Sequence, residues 1–142
     1  MKQTLTKAEW AQVEERLNRA YCPVALMCDG YHLTIRIERI KMQLVIGFHV
    51  NGVFRGAWMS EDCEERRRFF RPVKKSAWNA ASRARMKKMS KRALKQMKVD
   101  PSESFTVHYP WWTSFKALKS HLQKHNESIE LLQDWRYEVK QL

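Results

Sequence analysis

Residues 31–59 read YHLTIRIERIKMQLVIGFHVNGVFRGAWM, and the first half of this stretch alternates apolar and polar side chains. A period of two predicts a half-buried β-strand at its start and a second strand at about 42–50. Asn51-Gly52 then supplies two residues that tolerate positive φ, as a tight hairpin turn requires. The chain is therefore predicted to return as a third strand over 53–59.

Helical periodicity precedes this meander. Thr6 and Glu9 have the spacing of a capping box, which predicts a first helix over about 7–20. The apolar positions expected to face the core from the first helix are Trp10, Val13, Leu17 and Tyr21.

A short run rich in β-forming residues predicts a fourth strand at 105–109.

Two further helices are predicted after the fourth strand. Thr113 or Ser114 is placed to cap the first of them, and Asn126 is placed to cap the second. Both helices have an apolar face at helical spacing. The residues on these faces are Phe115, Leu118 and Leu122 in the first helix, and Ile129, Leu132 and Trp135 in the second.

The positive charge of the chain is concentrated in one stretch. The sequence has 27 Lys or Arg and 15 Asp or Glu, a formal net charge of +12. Residues 66–98 hold fourteen of the basic residues and no acidic one, so the rest of the chain sums to −2. Pro72 is predicted to end a short helix that starts at Ser60, and a long basic amphipathic helix is predicted from Ser76 to about Met97.

These elements predict an α+β fold, in which helices pack on a small antiparallel β-meander of about four strands, with the long basic helix in the middle of the chain. A chain of 142 residues suits a single compact domain over 1–142, with the basic helical segment at 61–98 inside it. Three Cys indicate a reducing compartment, so a cytoplasmic location is expected. No run of about 18 apolar residues and no signal peptide is found, so no membrane span is predicted.

A dense cluster of Lys and Arg favours a polyanionic partner, because it neutralises phosphates and releases their counterions. The sequence therefore predicts a non-enzymatic nucleic-acid-binding module that takes DNA or RNA. Trp58 and Trp78 are candidates for stacking on bases, whereas Phe69 and Phe70 are interpreted as core residues. The candidate phosphate contacts are Arg66, Arg67, Arg68, Arg71, Lys74, Lys75, Arg83, Arg85, Lys87, Lys88, Lys91, Arg92 and Lys95.

Other partners are compatible with the same residues. The main alternative is an inhibitor or adaptor whose basic helix binds an acidic surface, or a nucleic-acid-binding surface, of a host protein complex. A helix that only presents its lysines to water is the simplest interpretation, but exposed helices usually mix both charge signs, and residues 66–98 do not. Attachment to a membrane surface is disfavoured, because the apolar stripe is narrow and built mainly from Ala and Met.

No enzymatic activity, cofactor or metal site is predicted. The sequence contains four Gly and has no glycine-rich phosphate loop and no nucleophile elbow. Asp29, Glu38 and Lys41 form the best set for a metal-dependent nuclease, but the spacing of Glu38 and Lys41 does not suit such a site. His121 and His125 have the spacing of two metal ligands on one helix face, without the glutamate of a zinc-protease signature.

A compact, Trp-rich and basic domain without a catalytic signature is similar to many small accessory proteins of phages and mobile elements. This similarity is one of general character and covers no defined residues. On this similarity, the alternative function is that of a mobile-element, phage-like inhibitor or adaptor protein.

Overall fold

The computed structural model describes residues 2–19 and 22–136. The chain divides into two compact units, Met1–Arg71 with Tyr109–Leu142 and Pro72–His108. The first is called the sheet unit below and the second the basic unit. The expectation of one domain over 1–142 stays a prediction.

Helices and strands alternate irregularly along the described ranges. The helices are α1 (Lys7–Asn18), α2 (Ala57–Ser60), α3 (Glu64–Phe69), α4 (Ala80–Lys87), α5 (Lys91–Met97) and α6 (Phe115–His125). The strands are β1 (Val24–Cys28), β2 (Tyr31–Ile40), β3 (Gln43–Val50), β4 (Arg71–Ser76), β5 (Ser104–Tyr109), β6 (Trp111–Trp112) and β7 (Ile129–Leu131).

The sheet unit is built on a five-stranded sheet with the strand order β6-β3-β2-β1-β7. All four neighbouring pairs in this order are antiparallel. The fold is therefore α+β, as predicted, but this sheet has five strands rather than about four. In the residues that the structure describes, no helix has the length and apolar character that crossing a membrane requires.

The predicted turn at Asn51-Gly52 is confirmed, with φ values of 52° and 79°. The strand predicted over 53–59 is wrong, because a single bridge at Val53 is followed by the short helix α2. The free edge of β3 pairs instead with β6, where Trp112 lies opposite Ile46. Since β6 pairs with Ile46 and Gly47 in the middle of that edge, it occupies the place that a returning third strand would need.

The helix predicted from Asn126 is also wrong. Residues Ile129–Leu131 form β7, which pairs with β1, and Trp135 lies outside any helix. The backbone groups of β1 on this side would otherwise have no partner, and the strand itself is largely buried. The sequence VALMC of β1 was not recognised as a strand, because a continuous apolar run shows no alternation.

The helices α1 and α6 begin where the sequence predicts. The Thr6 hydroxyl accepts the N–H of Glu9 at 3.1 Å, and the Glu9 carboxylate accepts the N–H of Thr6 at 3.0 Å, which confirms the capping box. The Ser114 hydroxyl accepts the N–H of Ala117 at 3.3 Å, so Ser114 caps α6. Tyr21, which was assigned to the first helix, lies outside the described residues. The side chains that these two helices bury are Trp10, Val13, Leu17, Leu118 and Leu122.

The basic unit contains α4, α5 and most of the β4–β5 pair. The long basic helix predicted from Ser76 to about Met97 is wrong, because Ser76 ends β4 and the helical segment is interrupted at 88–90. The hydroxyl of Ser90 accepts the N–H of Ala93 at 3.1 Å, so α5 begins as a separate helix. Serine favours such local hydrogen bonds over the interior of a helix.

The remaining predictions for this part of the chain are met in part. The fourth strand predicted at 105–109 is confirmed as β5, which pairs with β4 and not with the meander. The helix predicted from Ser60 begins only at Glu64 and ends at Phe69, ahead of Pro72. Segment 61–98 therefore contains three helices and a strand instead of one helical arm.

A polar cluster around Asp29 joins the turn between β1 and β2 to α3 and to the start of β7. The Asp29 carboxylate accepts the N–H groups of Glu127 and Ser128 at 2.9 and 2.8 Å and forms an ion pair with Arg68. Arg68 also pairs with Glu64 and donates to the side-chain oxygen of Asn126. The two N–H groups and Arg68 favour the charged form of Asp29, and Asp29 and Glu64 favour the charged form of Arg68.

The pKa values in the cluster follow from these contacts. Burial alone raises the pKa of Asp29, but the hydrogen bonds from Glu127, Arg68 and Ser128 outweigh it, so this pKa lies below its usual value. Burial lowers the pKa of Arg68, and its bonds to Asp29 and Glu64 raise it further than burial lowers it. Both side chains are therefore charged in the folded protein at neutral pH.

We expect Arg68→Ala to lower the free energy of unfolding by about 2 to 3 kcal/mol, because it leaves the largely buried Asp29 carboxylate without its counter-ion. Urea denaturation followed by tryptophan fluorescence measures the change. Arg67→Ala is the matched control, since the Arg67 side chain is 64% exposed and its pair with Asp62 contributes at most about 1 kcal/mol. Equal losses in the two variants would contradict the role assigned to Arg68.

His121 gives the sheet unit a second source of pH dependence. Its Nε2 lies 3.0 Å from the Arg67 carbonyl oxygen, which only accepts, so Nε2 carries the proton. The ring centre of His125 is 4.2 Å away, and the Trp112 ring centre is 5.0 Å away. Burial, together with the charge of His125, lowers the pKa of His121 from 6.5 to about 4.

A group whose pKa falls on folding stabilises the fold above its unfolded pKa, and this contribution is lost as the pH drops towards the folded value. We therefore expect the protein to lose on the order of 2 kcal/mol through His121 between pH 6.5 and pH 4. In His121→Gln the unfolding free energy should depend less on pH between 6.5 and 4, as urea titrations at four pH values would show. An unchanged pH slope in His121→Gln would contradict the assignment.

Candidate nucleic-acid interface

The basic unit has a strong excess of positive charge. Its 37 residues, Pro72–His108, include ten Lys or Arg and two Asp or Glu, a formal charge of +8. All ten cationic side chains belong to exposed residues. They are Lys74, Lys75, Arg83, Arg85, Lys87, Lys88, Lys91, Arg92, Lys95 and Lys98.

The two carboxylates of this unit do not offset that charge. Asp100 accepts both the N–H and the hydroxyl of Ser102, at 2.9 and 2.6 Å, and these bonds lower its pKa. Among the described residues of the basic unit, no ion pair with a carboxylate joins the cationic side chains, Lys75 being left aside. The charges of the other nine side chains therefore face solvent without a carboxylate partner among the described residues.

Two short helices present most of these cations. Asn79 caps α4 by accepting the N–H of Ser82 at 2.8 Å, and Ser90 caps α5. Met86 is the one side chain of the two helices that is fully enclosed, while Ala93 and Leu94 are half-buried. Ser82 is also half-buried, and the other residues of both helices are exposed.

Trp78 anchors the loop in front of α4. Its indole N–H donates to the Asp100 carbonyl at 2.8 Å, and its backbone N–H donates to the Ser76 hydroxyl at 3.2 Å. The side chain is half-buried. Trp78 thus holds two parts of the basic unit together, and the remaining exposed part of its ring is the portion that a base can reach.

The arginines predicted at 66–71 lie in the sheet unit and have different environments. Arg68 has its donors in the Asp29 cluster, and the Arg66 side chain is 16% exposed with Asp62 at 3.6 Å. Arg67 is exposed beside Asp62, and the Arg71 guanidinium lies 5.7 Å from the centre of the Tyr109 ring. The sequence could not reveal the environments of Arg68 and Arg71, because Asp29 and Tyr109 are distant from them along the chain.

The aromatic candidates are also divided. Phe69 and Phe70 are fully buried, which confirms their interpretation as core residues. Trp58 is half-buried and meets Phe54 and Phe70 edge to face, with ring centres 6.0 and 6.5 Å apart. Trp58 therefore covers the core and presents only part of its ring to solvent.

The residues considered for a nuclease site have other roles in the fold. Asp29 pairs with Arg68, and Glu38 accepts from Arg36 at 3.2 Å while its carboxylate covers Gly47. Lys41 occupies the turn between β2 and β3 with φ 55°. In the described part of the chain, no group of three or more His, Cys, Asp or Glu is arranged to hold a metal ion.

The sheet unit has a cleft that the sequence did not predict. The cleft has a volume of about 640 Å³, and its lining includes Thr34 and Arg36 of β2, His49 of β3, and Trp135. The Arg136 guanidinium lies 5.6 Å from the centre of the Trp135 ring. The alternating polar positions of β2 could have indicated a cleft, but they are equally typical of a strand face that is exposed to solvent.

Comparisons of the chain with protein-family models, with curated proteins and with solved structures found no match. The candidate interface is therefore argued from its own geometry and charge.

We expect Ser90→Ala to destabilise α5 by about 1 kcal/mol, because it removes the side-chain acceptor of the Ala93 N–H. Amide hydrogen exchange in residues 94–97 should accelerate about fivefold. Ser90→Asp restores an acceptor at this position and should keep exchange close to that of the parent protein. Equal acceleration in both variants would contradict the cap.

Proposed function

We propose that this protein binds nucleic acid without catalysing a reaction on it, and that the basic unit supplies its phosphate contacts. The observation that supports this proposal is the set of ten exposed cations with two carboxylates in 37 residues. A surface of this kind attracts polyanions and gains entropy when condensed counterions leave them.

The electrostatics of α4 and α5 favour an external anion. Cations three and four residues apart on a helix repel each other by a few tenths of a kcal/mol per pair. Arg83 and Lys87 have this spacing in α4, as do Lys91 and Lys95 in α5. A bound phosphate backbone would offset these repulsions and accept charge-assisted hydrogen bonds from the same cations.

We propose fewer phosphate contacts than the sequence suggests. Arg68 and Arg66 are assigned to the fold, since their side chains are 20% and 16% exposed and face carboxylates. The proposed phosphate contacts are the cations of the basic unit, with Arg67 and Arg71 of the sheet unit as further candidates. Because the sparse cysteines fit a reducing compartment, we place this binding in the cytoplasm.

The test is a fluorescence-anisotropy titration of nuclease-treated protein with labelled nucleic acid at several salt concentrations. We expect binding that weakens linearly in log salt concentration, and a slope that falls by about two in Arg83→Glu/Lys88→Glu, since each lost phosphate contact removes about 0.9. Lys7→Glu/Lys116→Glu is the matched control. It reverses two exposed lysines of the sheet unit and should leave the slope unchanged.

A folded protein that shows no binding to DNA or RNA at low salt would contradict the proposal. A stoichiometric complex with an acidic protein in that case would identify the inhibitor or adaptor function instead. Circular dichroism of each variant confirms that the charge reversals have not unfolded the helices.

A further inference from the structure

The two faces of α5 differ sharply in chemistry. At 3.6 residues per turn, successive side chains are about 100° apart around the helix axis. The polar residues then fall within an arc of about 140°, and the apolar residues fill the opposite side. The polar arc holds Lys91, Lys95, Arg92 and Gln96, and the other side holds Ala93, Met97 and Leu94.

The polar arc of α5 has the composition of a base-reading surface. Arg92 and Gln96 are four residues apart, so they lie one above the other on the same face. An arginine fork binds the O6 and N7 atoms of guanine, and a glutamine amide binds the N6 and N7 atoms of adenine. Lys91 and Lys95 border this pair and suit the flanking phosphates. No carboxylate lies on this helix.

The exposure of α5 leaves this surface accessible. All four polar residues are exposed, whereas Ala93 and Leu94 on the opposite side are half-buried and Met97 is 60% exposed. A helix with side chains is about 10 to 12 Å wide, and the major groove of B-form DNA is about 12 Å wide. The polar face of α5 can therefore reach base edges.

The neighbouring helix α4 has a different outward surface. Ala80 and Ala84 lie at its centre, with Arg83 and Lys87 beside them. All four residues are exposed. Small side chains allow a helix to approach a sugar–phosphate backbone closely, and the two cations then reach phosphates. This surface can position the protein on a duplex, and it differs from that of α5 in having alanines where α5 pairs an arginine with a glutamine.

Other nucleic acids fit the basic unit less well. The major groove of double-stranded RNA is too deep and narrow for side chains to read. Single strands are held by aromatic rings on which successive bases stack. In the basic unit the Trp78 ring is only partly exposed, and Phe105, at 51% exposure, is the one aromatic side chain that is mostly accessible.

We propose that the partner is double-stranded DNA, and that α5 lies in its major groove with Arg92 and Gln96 on base edges while α4 contacts the phosphate backbone. This inference rests on the proposed function and adds sequence specificity to it. Binding then depends on two separable sets of residues, one that sets affinity for any duplex and one that selects the sequence.

The test begins with selection of a preferred duplex from a pool with a randomised segment. The affinities for that duplex, for a shuffled duplex of the same composition, for each single strand and for double-stranded RNA are then compared at one salt concentration. We expect the preferred duplex to bind at least 100-fold more tightly than the shuffled one. Single strands and double-stranded RNA should bind no better than the shuffled duplex.

Variants then assign the two roles. Arg92→Lys keeps the charge but loses the fork, and we expect it and Gln96→Ala each to reduce the ratio of preferred to shuffled affinity about tenfold or more. Arg83→Ala should weaken both duplexes by similar factors. Lys116→Glu in the sheet unit is the control outside the proposed surface, and circular dichroism checks the fold of every variant.

Two failures are distinguishable. If the folded protein binds no nucleic acid, the proposed function and this inference fall together. If it binds all duplexes equally, prefers RNA or a single strand, or keeps its discrimination in Arg92→Lys and Gln96→Ala, the groove-reading role of α5 is overturned while nucleic-acid binding stands.

Discussion

The carboxylate of Asp29 is the group on which the sheet unit depends. It lies in the turn between β1 and β2, accepts two backbone N–H groups at the entry to β7, and pairs with Arg68 of α3. One side chain therefore joins the central strands, an outer strand and a helix. Because β7 also pairs with β1 through its backbone, the strand pairing and the carboxylate cluster support each other.

Positive charge has opposite uses in the two units. The guanidinium of Arg68 is neutralised inside the fold by Asp29 and Glu64, so it stabilises tertiary structure and is poorly available to a ligand. The ten cations of the basic unit face water, and Asp100 uses its carboxylate on Ser102 rather than on any of them. Composition alone treats these residues as equivalent. Burial and partners separate Arg68, which is paired inside the fold, from the exposed arginines that we propose as phosphate contacts.

Local features of the fold could be predicted from the sequence, and distant pairings could not. The turn at Asn51-Gly52 and the cap at Thr6 depend on residues within a few positions, and both are confirmed. The failed strand at 53–59 and the failed helix after Asn126 depend on β6 and β7, which are too short to show a periodicity. The candidate site follows the same rule. Its cations were visible in the sequence, but the pairing of Arg68 with a residue 39 positions away was not.

The interruption at 88–90 determines what the basic unit can present to a partner. A continuous helix through this segment would distribute all of its cations around one axis. The Ser90 cap ends that continuity, so the alanine-rich face of α4 and the Arg92 face of α5 belong to separate helices. Each extra helix end exposes backbone groups that need partners, and here side-chain caps and the left-handed Lys98 provide some of them. The break places the two faces on separate helices, which suits the division between backbone contact and base reading that we propose.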